Sequence, residues 1–274
     1  MIVYPNAKIN LGLQVLRRRP DGYHDLATVF YPIPLQDALE VHGADRFRFR
    51  QAGSMLDCPA GDNLVIRALK MLEADFRLPE LDIFLYKHIP SGAGLGGGSS
   101  DAAFMMKLLN DEYHLGLSAD DLRHRLSALG ADCAFFVDNT PALATGIGDH
   151  LVPIDFSLSG WTLLLVKPDV AVSTRDAYAD VQPRERDGED GAALMKALML
   201  PVEEWQGQVT NDFECSVFPR YPEIAGIRDL LLDLGAVYAS MSGSGSAVFG
   251  LFRQPVEAPE EKFAGCFVRQ RTLE

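Results

Sequence analysis

The residues with the plainest chemical purpose are Pro90-Ser91-Gly92-Ala93-Gly94-Leu95-Gly96-Gly97-Gly98-Ser99-Ser100, which place five glycines within seven positions. Glycine brings no side chain to a core and costs backbone entropy to order, but it lets backbone N–H groups turn inward around an anion. Behind the loop, Ala102 to Asn110 reads as a helix with Ser99 or Ser100 as its cap, so the glycines empty onto a helix N-terminus. Unpaired N–H groups and the positive end of the helix dipole meet there, and phosphate suits both. A Walker loop would end in Gly-Lys-Ser/Thr, whereas this one closes Gly98-Ser99-Ser100. Gly92, Gly94 and Gly97 fit G-x-G-x-x-G, but a dinucleotide fold also wants a strand ending in an acid about 20 residues later. Here Asp111-Glu112-Tyr113-His114 leads into another helical pattern instead.

Three further groups could do chemistry. Asn6, Lys8 and Asn10 recur at period 2 along the strand pattern Val3 to Leu16 and share a face, opposite Ala7, Ile9, Leu11 and Leu13. Spacing alone leaves Lys8 as either a solvated lysine or a ligand-facing one. Pro20-Asp21-Gly22 is strong turn chemistry and is followed at once by Tyr23 and His24, which would either stack on and hydrogen-bond to a ring or sit as a strand-edge tyrosine and a solvated histidine. Asp132 follows a helix that opens at Ser118-Ala119-Asp120-Asp121 and stops at Gly130. It precedes Cys133-Ala134-Phe135-Phe136, and so either caps that element or points into a site.

The elements that must position these groups are legible. Asn63 to Ala74 is an amphipathic helix capped by Asp62 or Asn63, and Leu81 to His88 is a strand that delivers the chain into the glycine loop. Trp161 to Val166 reads as a buried strand, and Tyr221 to Leu234 as a helix with Pro222 in its first turn. The strands Val237 to Met241 and Ala247 to Phe252 flank Ser242-Gly243-Ser244-Gly245-Ser246. Pro183 to Asp190, rich in Arg, Glu and Asp, reads as a mobile loop, and a Pro/Ser/Gly break over 153–160 marks a boundary between domains 1–155 and 156–274.

Composition bounds the function. A chain of 274 residues with 47% hydrophobic content supports a substantial core. With 25 Lys and Arg against 38 Asp and Glu, the net charge of −13 makes nucleic acid and anionic membrane poor partners. Cys58, Cys133, Cys215 and Cys266 stand singly, with no C-x-x-C pair, and read as reduced thiols. The polar start Met1 to Lys8 and the lack of an apolar run near ~18 residues point to a cytoplasmic protein.

Taken together and in this order, Asn6-Ala7-Lys8-Ile9-Asn10-Leu11, the Pro90 to Ser100 loop and Ser242-Gly243-Ser244-Gly245 resemble the GHMP family of small-molecule kinases over most of the chain. The resemblance implies an α+β fold of two domains: an N-terminal one like a ribosomal small-subunit protein domain, carrying ATP, and a ferredoxin-like C-terminal one. It implies ATP- and magnesium-dependent phosphorylation of an alcohol, with Pro90 to Ser100 around the ATP phosphates and Ser99, Ser100 or Asp101 as open alternatives for contact with magnesium, directly or through water. Lys8 and Asp132 would lie side by side as the catalytic pair. Asp132 would accept or merely orient the hydroxyl proton; Lys8 would keep that carboxylate ionised and stabilise the transferring group. Asp21-Gly22-Tyr23-His24, Gly130-Ala131-Asp132, Asn211-Asp212 and Gly-Leu-Gly-Gly-Gly-Ser-Ser narrow the resemblance to a member whose alcohol substrate carries a cytidine diphosphate. The homoserine and mevalonate types leave Tyr23-His24 unexplained. On the narrower reading Tyr23 and Tyr178 hold the cytosine, His24 reads its edge, Asn10 positions the substrate, and the protein is a monomer or weak homodimer. Two departures stand out: Cys133-Ala134 where the family has Val-Pro, and Tyr178 ending a stretch that often carries Thr-Pro and ends in Phe.

Overall fold

Residues 1–54, 59–183 and 191–274 are described by the computed structural model; Cys58 and the Pro183 to Asp190 loop beyond Pro183 lie outside them. The chain runs β1 (Ile2–Val3), β2 (Asn6–Arg18), β3 (His24–Gln36), β4 (Ala38–Gly43), β5 (Arg48–Gly53), α1 (Leu64–Glu73), β6 (Leu81–Lys87), α2 (Gly97–Glu112), α3 (Ala119–Ser127) and α4 (Phe135–Asp138). It continues through β7 (Ala142–Thr145), β8 (His150–Pro153), β9 (Thr162–Lys167), α5 (Thr174–Ala179), α6 (Ala192–Leu198), α7 (Glu214–Arg220), α8 (Pro222–Asp233), β10 (Tyr238–Met241), β11 (Val248–Phe252), α9 (Pro259–Lys262) and β12 (Phe267–Thr272).

Local chemistry sets most boundaries. The Asn63 side chain accepts the Val65 N–H to start α1, and Ser118 and Asp121 form a reciprocal capping box on α3. Pro222 occupies the first turn of α8, where its missing N–H costs nothing. The start of α2 departs from the sequence expectation. The helix begins at Gly97, not Ala102, and its cap is Gly96 in the left-handed region (φ 69°), with no side-chain capping bond. Ser99 and Ser100 therefore lie inside the first turn. Two glycines at a helix start cost at most about 2 kcal/mol relative to alanine, whereas each buried large apolar side chain gains roughly 1.5–3 kcal/mol and α2 buries several. Met105, Met106 and Leu109 of α2 are all buried, so packing decides.

The chain divides into two compact units. One comprises Met1–Lys8, Pro32–Ser91 and Gly96–Thr140; the other Ile9–Tyr31, Gly92–Leu95 and Pro141–Glu274. The first holds a sheet of order β1-β4-β6-β5, in which β5 runs parallel to β6 and the other pairs are antiparallel. Helices α1 and α2 pack on each other in this unit. The second holds an antiparallel sheet of order β10-β11-β9-β12. With α8 before β10 and α9 before β12, that order is the split βαβ arrangement of a ferredoxin-like domain. Its core gathers Leu164, Val166, Ile224, Leu231, Met241, Val248 and Val268 with Leu13 and Val15 of β2. A further sheet runs β2-β3-β7-β8. Among the described residues no helix is long and apolar enough to cross a membrane.

Candidate active site

In the first unit, β2 ends its share of the chain on Lys8, whose side chain is only 3% exposed, while the Asp132 carboxylate 3.1 Å from its Nζ is 33% exposed. The turn over 131–134 presents that carboxylate to the lysine, so Asp132 is not the cap of α4; the capping position is Ala134, with no side-chain bond. Ala134 stands where the resemblance has proline, and its φ of −63° is the angle a proline ring would impose. The neighbouring Cys133 is buried, and burial pushes its thiol up to about 11, leaving a neutral space-filling group.

Beside this pair lies the start of α2. A Cβ built on Gly96 would fall 3.2 Å from Lys8 Cγ and 3.0 Å from the Phe136 ring, and one on Gly97 would fall 2.9 Å from Ile89 Cγ2. Protein packing alone therefore already favours glycine at both positions. The first-turn N–H groups, with no side chain on Gly96 to cap them, are what an anion would meet. Beneath the turn, Lys87 at the end of β6 bonds Asp101 Oδ2 at 2.6 Å and also Asp37, all three being buried. Burial alone would lower the Lys87 ammonium, but the Asp101 and Asp37 carboxylates outweigh it and hold it above the ordinary lysine value.

In the second unit, the Asn10 N–H donates to Ser242 Oγ (3.2 Å) and its Nδ2 to Thr28 Oγ1 (2.9 Å). Ser242 Oγ in turn donates to the Gly94 carbonyl at 2.9 Å. A Cβ on Gly94 would come within 1.9 Å of the Ser242 backbone carbonyl oxygen, so the 242–246 turn backing directly onto it requires glycine there. Asn211 holds that turn by donating to the Met241 and Gly243 carbonyls at 2.8 Å each.

The same unit carries the expected ring-binding groups. His24 stacks on Tyr178 with centroids 4.8 Å apart and planes 16° from parallel, and Tyr178 meets Phe213 edge-on at 4.7 Å. Tyr23 is 62% exposed, on a turn closed by the Arg19 N–H on the Tyr23 carbonyl at 2.7 Å. Burial and the neighbouring Arg18 lower the His24 imidazole, so at neutral pH it has one donor and one acceptor nitrogen.

Residues 63–145 match the GHMP kinases N terminal domain, and residues 186–266 match the GHMP kinases C terminal domain. The chain belongs to the GHMP kinase family. It is 53% identical over 274 residues, 100% of both chains, to the 4-diphosphocytidyl-2-C-methyl-D-erythritol kinase of Parabacteroides distasonis. It is 54% identical over 266 residues, 96% of this chain and 94% of the relative, to the kinase of the same name from Bacteroides fragilis. A crystal structure of a 4-(cytidine 5'-diphospho)-2C-methyl-D-erythritol kinase is similar at a TM-score of 0.81 and 32% identity, covering 98% of each chain. The Methanococcus jannaschii mevalonate kinase, at a TM-score of 0.75 and 14% identity over 100% of this chain and 98% of its own, shares the fold. GHMP kinases use ATP as phosphate donor, and the uncapped glycine start of α2 fits a nucleotide's phosphates.

Pattern reasoning missed several residues of this GHMP kinase. Asp37 and Lys87 are separated by 50 positions and match no spacing rule, and Asp101, which the sequence offered only as an alternative for magnesium contact, lies buried on Lys87. Thr28 and Phe213 carried no signal. The packing of Gly97 yields a prediction: Gly97→Val places methyls against Ile89 and should lower the unfolding free energy by about 1–3 kcal/mol, as overpacking does. Chemical denaturation checks it, and a stability equal to that of the unmodified chain would contradict the packing role.

Proposed function

We propose that this GHMP kinase transfers the terminal phosphoryl group of ATP to the 2-hydroxyl of 4-diphosphocytidyl-2-C-methyl-D-erythritol, in the cytoplasmic non-mevalonate route to isoprenoid precursors. The observation that carries the reading is 53% identity over the whole length of a relative bearing that substrate's name. The pairing of Lys8 with Asp132 supports it in geometry. Bound ATP with Mg²⁺ supplies the phosphoryl group and neutralises charge on its oxygens. Among the described residues there is no group of three or more metal-binding side chains, and magnesium commonly keeps several waters and rides on substrate phosphates.

The chain's own residues divide the remaining work. The residues Pro90 to Ser100 hold the phosphates through main-chain N–H groups, with the first turn of α2 supplying the dipole. Asp132, the more exposed member of its pair, meets the substrate hydroxyl and takes or orients its proton, while Lys8 faces the charge that spreads over the transferring group. Asn10 positions the alcohol. Tyr178, already aligned with His24, offers a stacking face to the cytosine, with Tyr23 as the second face and His24 supplying edge hydrogen bonds. The cytidine diphosphate takes no part in the bond change, so its binding energy serves to position the hydroxyl.

Two measurements test these roles. Offered with ATP and Mg²⁺, the cytidylylated alcohol should release ADP with a much higher kcat/KM than free methylerythritol phosphate, homoserine or mevalonate; equal efficiency on the uncytidylylated phosphate would remove the cytosine site. Asp132→Asn should lower kcat by roughly 10²-fold or more, the usual worth of a positioned acid–base group, with ATP affinity nearly unchanged. A kcat within a few-fold of the original would take Asp132 out of the mechanism.

A further inference from the structure

The Lys87, Asp37 and Asp101 cluster has no part in the transfer just described, yet it lies against the turn on which the nucleotide reading depends. A Cβ built on Gly97 would sit 3.3 Å from Lys87 Nζ, which places the ammonium directly behind the first turn of α2. Asp101 belongs to α2 itself, and Asp37 accepts the N–H groups of His88 (2.5 Å) and Ile89 (2.8 Å), so the cluster ties the strand before the loop to the helix after it. Among the described residues, Lys87 and Asp37 are the charged groups that face Asp101. One ammonium and two carboxyls admit two charge states. With both carboxyls ionised the cluster carries a net charge of −1; with one proton shared it is neutral.

Geometry favours the neutral form when an anion is present. Lys87 Nζ donates to Asp37 Oδ2 and to Asp101 Oδ2 alike, so two buried carboxyls crowd one ammonium and a proton on either relieves their repulsion. Among the described residues Asp101 Oδ1 is buried with no hydrogen-bond partner, an arrangement costly for an ionised carboxylate and cheaper for a carboxyl. A net negative charge behind the turn would oppose the partial positive charge, about half a unit, that α2 presents to phosphate. We propose that Lys87 and Asp101 are positioning residues for the nucleotide, and that the cluster they form with Asp37 takes up a proton when phosphate binds at the N-terminus of α2.

The sign and range of the effect follow. Burial pushes the Asp101 carboxyl up to about 7, against the pull of Lys87 and with the push of Asp37, so the proton is exchanged near neutrality. An arriving phosphate favours the neutral cluster and raises that value further. Affinity is then greatest in the acid part of the range and falls as pH rises through it, by at most about tenfold per pH unit for one linked proton. Asp101→Asn keeps an oxygen for Lys87 but cannot ionise.

The inference rests on the nucleotide reading of the loop and is tested with ADP and Mg²⁺ by calorimetry, in two buffers of different ionisation enthalpy near neutral pH. The unmodified protein should take up a fraction of a proton and bind less tightly at higher pH. Asp101→Asn should bind with no such uptake and a flatter profile; titration of ADP itself appears equally in both proteins and cancels in the comparison. If Asp101→Asn does not fold, Asp37→Asn removes the other negative charge and is expected to act alike. An unmodified protein that binds without proton uptake, or an Asp101→Asn that behaves identically to it, overturns the inference. Failure to bind ADP at all would overturn the nucleotide reading too.

Discussion

Burying an ammonium costs several kcal/mol unless carboxylates compensate it, and the first unit buries two, Lys8 and Lys87. Each is tolerable only because the fold brings an acid from far along the chain: Asp132 to Lys8, and both Asp37 and Asp101 to Lys87. The two sets differ in a way that fits the proposed roles. Asp132 keeps a third of its side chain in solvent, where a substrate hydroxyl can reach it, whereas the partners of Lys87 are sealed. Removing one partner of a sealed pair strands a charge, so the Lys87 cluster also fixes how β6 leads into α2.

The second unit solves a different problem, the support of glycine backbone that has no side chains of its own. Ser242, Asn10 and Thr28 form a chain of hydrogen bonds ending on the Gly94 and Gly12 carbonyls, and Asn211 braces the turn that carries Ser242. Side-chain hydrogen bonds from β2, β3 and the 242–246 turn thus do for Gly94 what a packed side chain does elsewhere. The same unit aligns His24, Tyr178 and Phe213, so one ring face is already ordered by its neighbours, at less entropic cost to a stacking base than a free side chain would incur.

Much of this was legible in the sequence because it is written in short-range pattern. Period 2 put Asn6, Lys8 and Asn10 on one strand face, cap residues gave α1 and α3, and the glycine run marked a helix start. Where the reading slipped, tertiary packing outweighed local preference: serines favour caps, yet Gly96 in a left-handed conformation starts α2 three residues before Ser99. Asp132 was ambiguous for the same reason, since a cap and a site acid look alike until the partner is known. The Asp37, Lys87 and Asp101 cluster and the bond from Ser242 to Gly94, 148 positions apart, exist only in three dimensions. The two departures from the family pattern have local explanations: Ala134 keeps the φ of a proline, and Tyr178 keeps an aromatic face against His24.

In the proposed function Lys8 acts on the transferring phosphoryl group through its charge. Single-turnover measurement with Lys8→Met, ATP, Mg²⁺ and the cytidylylated alcohol isolates that step from binding and product release. The transfer rate should fall by about 10²-fold or more while both substrates still bind, the scale of losing one preorganised charge. A transfer rate unchanged in a folded Lys8→Met protein would contradict it.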